Sequence, residues 1–97
     1  MDDRFAAWRN TTAEALLRSP AATAPELRAA VAAGNAPAEL MPLIQKIRTG
    51  AYTVTNGDVE ALKSTFTEDQ LFEIIVAAAF GAARERLESA LRALEEA

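Results

Sequence analysis

The sequence predicts an all-α protein of about five helices forming one small domain over residues 1–97. Composition is the first observation behind that prediction. Hydrophobic residues make up 51% of the chain, Gly and Pro number only four each, alanine is abundant and β-branched runs are short. The second is that apolar residues recur every three or four positions. The third is that polar cap residues stand at the head of several of these apolar stretches.

The first helix is expected over Asp3 to Ser19. Phe5, Trp8, Thr12, Ala15 and Leu16 share one face, Asp2 and Asp3 suit its N-terminus, and Arg18 suits its C-terminus. Ser19-Pro20 stops it. A short second helix is expected from Ala24 to Ala33. Thr23 is placed to cap it with Glu26 reaching back, and Pro25 lies in its first turn. Leu27, Ala30 and Val31 form its face, and Gly34-Asn35 ends it.

The third helix begins near Ala38 or Glu39, with Pro42 in its first turn. Leu40, Leu43, Ile44, Ile47 and Ala51 form its buried stripe, and Tyr52 and Val54 extend that face to about Thr53. Thr55 with Asp58 then has capping-box spacing ahead of Val59, Leu62 and Phe66. Thr67 with Gln70 is a second box, with Phe66 and Leu71 placed as a hydrophobic staple. The last helix runs from Glu68 to about Leu94. From Leu71 to Ala83 only Glu73 interrupts the apolar residues, so this half is expected to be buried all round. Farther on, Phe80, Ala83, Leu87, Ala90 and Leu94, with Leu91 beside them, make one stripe. Arg84, Glu88, Arg92 and Glu96 line the opposite side. That stripe reads either as intramolecular core or as an oligomer seam, and the scarcity of partner helices favours the seam.

Several function classes are excluded by what the chain lacks. It contains no Cys and no His. Disulfides, thiol nucleophiles and thiolate or imidazole metal sites are therefore absent, and so is the side chain best suited to proton transfer near neutral pH. Neither a metal nor a cofactor is expected. Net charge is −4 and uneven: residues 49–97 carry four basic and nine acidic groups. That balance opposes nucleic acid and anionic membranes, and the basic residues form no patch interleaved with aromatics. The acidic start, Met-Asp-Asp-Arg-Phe, does not read as a signal peptide, and the apolar run is too short to span a bilayer. A cytoplasmic location is expected.

Three phrases carry a family resemblance. They are Val54-Thr55-Asn56-Gly57-Asp58-Val59-Glu60-Ala61-Leu62, the stretch Phe66-Thr67-Glu68-Asp69-Gln70-Leu71-Phe72-Glu73-Ile74-Ile75-Val76-Ala77-Ala78-Ala79, and Arg86-Leu87-Glu88-Ser89-Ala90-Leu91. Together, Thr55 to Leu94 resembles the C-terminal half of the carboxymuconolactone decarboxylase and alkylhydroperoxidase D-like superfamily. The resemblance implies an all-helical fold that assembles into homo-oligomers. It does not imply the peroxidase chemistry of that superfamily, which uses Cys-x-x-Cys and a following His on one helix. With Glu73 placed on the upstream Glu of that motif, those positions hold Glu85, Glu88 and Arg92.

The site candidates follow from these readings. Glu73 is an acid in an apolar run. Burial would raise its pKa and suit it to acid–base work on a small carboxylate or lactone, whereas an exposed first turn or a neighbouring cation would make it ordinary. Arg48, Tyr52 and Trp8 are candidate ligand contacts, with packing the ordinary role for the two aromatics and a surface role for Arg48. Leu71, Ile75, Phe80, Leu87, Leu91 and Leu94 are the expected oligomer contacts. The function expected is that of a non-peroxidase, self-associating scaffold or small-ligand binder. An enzyme using Glu73 and a structural partner for another protein are the alternatives.

Overall fold

The structure, a computed structural model, describes residues 6–18 and 21–97. The described residues form helices and no strand: α1 over Ala6–Arg18, α2 over Pro25–Ala32, α3 over Met41–Gly50 with a 3-10 turn at Ala51–Thr53, α4 over Asn56–Glu60 and α5 over Glu68–Glu96. The expected roles of Asp2, Asp3 and Phe5 in the first helix, and the Ser19-Pro20 stop, lie outside the described residues.

Both capping boxes form. Thr55 accepts from the Asp58 N–H while the Asp58 carboxylate accepts from the Thr55 N–H. Thr67 and Gln70 exchange the same pair of bonds at 3.1 and 2.9 Å, so two of the N-terminal donors of α5 are satisfied reciprocally. At the end of α2, Gly34 adopts φ 79. The Asn35 N–H donates to the Ala30 carbonyl and the Gly34 N–H to the Val31 carbonyl, which is the Schellman closure that a glycine makes without steric cost.

α5 is the spine. Its 29 residues span about 43 Å at 1.5 Å per residue, close to the 47 Å long dimension of the molecule. α2 runs parallel along it, with Thr23 beside Glu73 at one end and Ala32 against Gly81 at the other. α1 returns antiparallel over α2. The core gathers where α2, α3 and α5 meet, with Leu40, Ile44, Ile74 and Val31 fully buried and Leu43, Ile47, Leu62 and Leu71 around them.

Gly81 is the tightest point of this packing. A Cβ there would overlap the Ala32 carbonyl and lie 2.7 Å from the Ala32 Cα. Only glycine lets the end of α2 come this close.

Several expectations are corrected by this packing. α1 turns a partly different face inward: Leu16 packs on the core as expected, but Leu17 is buried and Ala13 packs beside it, while Trp8 and Ala15 are exposed. Both sets have helical spacing, and contact with α2 selects the second. α3 starts at Met41 and stops at Gly50, so Ala51 and Tyr52 leave the stripe and are exposed, while Val54 stays on the core. The first half of α5 is not buried all round. Phe72 is 68% exposed, and Ala79 and Ala83 also face outward.

Candidate functional site

Two polar joints and one apolar face are the places where this fold offers function. The first joint is centred on Glu73. The Ala22 N–H donates to Oε2 at 2.9 Å, and the Thr23 N–H and hydroxyl donate to Oε1 at 2.8 and 2.6 Å. The carboxylate thus holds the segment leading into α2. Thr23, expected to cap α2, is drawn to Glu73 instead; Pro25 opens the helix and fixes Ala24 as its cap position, with no side-chain cap bond. Those bonds, the Thr23 hydroxyl foremost, hold the Glu73 carboxyl below the ordinary glutamate range against the opposing effect of burial. The shift is opposite to the one that burial alone would give. Acid–base chemistry near neutrality would need a raised value, and both carboxylate oxygens are already engaged as acceptors.

Arg28 lies beside this joint. It is 3% exposed, and its Nη1 donates to the Leu16 carbonyl at 2.8 Å, joining α2 to the last turns of α1. Its charge also favours the ionised Glu73. The recess here, about 210 Å³ between Leu16, Ala21, Arg28, Phe72, Glu73 and Val76, is smaller than the roughly 300 Å³ at which small-molecule pockets begin.

The second joint is centred on Arg48. Its Nη1 donates to the Ala32 carbonyl at 3.1 Å, placing a cation at the C-terminus of α2 where the helix dipole favours one. Its Nη2 pairs with Glu85, and the Arg48 carbonyl accepts from Arg86. The guanidinium also packs over Gly34. Arg48, Glu85, Arg86 and Ser89 border an open groove of about 380 Å³. Tyr52, 92% exposed, and Trp8, 66% exposed, do not line it, so the three expected ligand contacts are not brought together. Glu85 is tied to Arg48, and the described residues hold no cluster of acids suited to a metal ion. No helix among them is long and apolar enough to cross a membrane.

A nearby pair sets the approach to α5. Lys46 on α3 pairs with Asp58 at 2.8 Å, which together with the Thr55 bonds lowers the Asp58 carboxyl. Asp58 therefore caps α4 and ties it to α3 at once.

The apolar face is the outward side of α5. At 3.6 residues per turn, Phe72, Val76, Ala79, Ala83, Leu87, Ala90 and Leu94 fall within an arc of about 80°. Between Phe72 and Leu94 this arc holds no polar or charged residue. Phe72, Leu87 and Leu94 are 68%, 41% and 59% exposed; Ala79, Ala83 and Ala90 are exposed and Val76 half-buried. A solvated helix ordinarily turns its charges this way. Here the charges Arg84, Glu85, Glu88 and Arg92 flank the sides nearer the rest of the chain, and Arg86, at the edge of the stripe, donates to the Arg48 carbonyl.

This face partly replaces the expected contact set. Leu71 is 2% exposed and belongs to the internal core. Ile75 and Phe80 also pack on that core, and Arg84 stacks over the Phe80 ring at 5.3 Å. The reason is phase: these three turn toward the chain's own helices. Leu87 and Leu94 do face outward. Leu91 is half-buried beside Arg9 of α1. Phe72, Val76 and Ala79 extend the stripe, and their spacing from Ala83 was the signal in the sequence that shows it.

No protein-family model, no curated protein and no solved structure matches the chain.

Proposed function

We propose that this chain works as a self-associating helical scaffold through the outward face of α5, and that it is a non-peroxidase relative of the carboxymuconolactone decarboxylase-like proteins. The single observation carrying the first part is a stripe of seven apolar residues, uninterrupted by charge, on the solvent side of a long helix. Contiguous exposed apolar surface of this kind marks interaction sites. The second part rests on the motif resemblance of Thr55 to Leu94, in which Glu85, Glu88 and Arg92 stand where peroxidases have thiols and imidazole.

Light scattering at micromolar concentration tests the first part. A mass of at least twice the 10.4 kDa chain is expected. Leu87→Asp, which puts a charge in the stripe, is expected to return the mass to one chain without loss of helix content. A wild-type protein that stays monomeric would overturn self-association and leave the face to a different protein partner. For the second part, purified protein is expected to show no thiol-dependent peroxide turnover.

A further inference from the structure

We propose that the outward face of α5 takes a second copy of this chain with the two α5 helices antiparallel and Ala83 on the two-fold axis. This rests on the self-association reading and specifies its geometry. The stripe is symmetric about Ala83. Ala79 and Leu87 lie four residues away on either side, Val76 and Ala90 seven, and Phe72 and Leu94 eleven. A two-fold axis through Ala83, perpendicular to the helices, therefore brings every stripe residue level with another stripe residue of the partner. That is the self-complementarity an isologous contact requires.

Side-chain size selects antiparallel over parallel. In the antiparallel pair Leu87 meets Ala79 and Val76 meets Ala90, so through the middle of the seam large residues fill the space beside small ones, and Phe72 meets Leu94 only at its two ends. A parallel pair in register would set Leu87 against Leu87 and Ala79 against Ala79, crowding one level and leaving a gap at another. It would also align the two helix dipoles unfavourably. The three alanines permit a close interaxial distance of about 9 Å. The 11-residue steps from Phe72 to Ala83 to Leu94 keep the stripe nearly straight along the helix. Contact over about 33 Å of helix buries on the order of 1,000 Å² in total, the lower bound for a specific interface. The seam itself brings no two charges together.

The absence of native cysteine makes the geometry directly readable. Ala79→Cys and Leu87→Cys proteins are mixed in equal amounts, oxidised gently and weighed intact, with light scattering on the wild type and on the unoxidised mixture. Across an antiparallel seam these two positions have Cα atoms about 6 Å apart, within disulfide reach. The two Ala79 positions are separated by about 12 Å along the axes. The mixed disulfide, joining one Ala79→Cys chain to one Leu87→Cys chain, is expected to dominate, with little of either homodisulfide. Dominant homodisulfides would show parallel pairing and overturn the proposal. A dimeric mass without crosslinking would place the contact on another surface, overturning this geometry while leaving self-association intact. A monomeric mass would overturn both.

Discussion

Along its inner face α5 sets Leu71, Ile74, Ala77, Ala78, Gly81 and Ala82 against α2 and α3, whereas its outer face, Phe72, Val76, Ala79, Ala83, Leu87, Ala90 and Leu94, is exposed except at the half-buried Val76, which with Phe72 borders the recess beside Leu16 and Arg28. The two faces are similarly apolar, so hydropathy does not distinguish them. Steric grading does. The inner face carries its bulk at Leu71 and Ile74, over the core, and narrows to small residues where α2 closes in on Gly81. The outer face is graded about its own midpoint at Ala83. A face built to meet an internal helix is shaped by that helix; a face built to meet its own copy is shaped by symmetry.

Truncating equivalent residues on the two faces separates them most sharply. Ile74→Ala, at a fully buried position, is expected to cost about 3 kcal/mol in urea unfolding. Gly81→Ala acts on the inner face in the opposite sense, by adding an atom against the Ala32 backbone. It is expected to cost about 2 kcal/mol, visible as a melting temperature lower by roughly 8–16 °C. A melting temperature equal to wild type would mean that α2 is not held this close to α5. Thr67→Ala, which removes the box that starts both faces, should cost about 1 kcal/mol.

Glu73→Gln tests the joint beside the inner face, with a smaller effect at neutral pH. The folded-state carboxyl lies below its unfolded value. Acidification therefore protonates the unfolded chain first. The stabilisation is complete above the ordinary carboxylate range and is lost as pH falls through the depressed value. The wild type should converge on the Gln variant in acid, and parallel pH profiles for the two proteins would sink this account. Leu87→Ala, on the outer face, should change unfolding by no more than about 0.5 kcal/mol at concentrations where the chain is monomeric, while weakening association.

Local chemistry was legible in the sequence. The boxes at Thr55 and Thr67 and the stop at Gly34 formed as expected because each is decided within a few residues. What the sequence obscured was decided at a distance. Thr23 looked like a cap, but its partner Glu73 lies fifty residues away. Glu73 reads as either a buried acid or an ordinary one, because its apolar neighbours are visible in the sequence and the donors from Ala22 and Thr23 are not. α1 offered two stripes of equal spacing, and only contact with α2 selects Leu17 over Trp8. Arg28 has no apolar signature, yet it is buried because the end of α1 supplies its acceptor. The outer stripe was half legible: Ala83 to Leu94 stood out, while Phe72, Val76 and Ala79 were hidden inside a run that looked buried on every side.

Beyond Ala82 no residue of α5 is buried, so about the last four turns are held by their own helical bonds and a few side-chain contacts. In a lone copy, amide protons there should trade with solvent deuterium through fraying of the helix end, while those from Leu71 to Ala82 await opening of the whole core. A second copy laid across the seam would close that gap. Slowed exchange from Leu87 to Leu94 with rising protein concentration would then follow assembly residue by residue, with no substitution made.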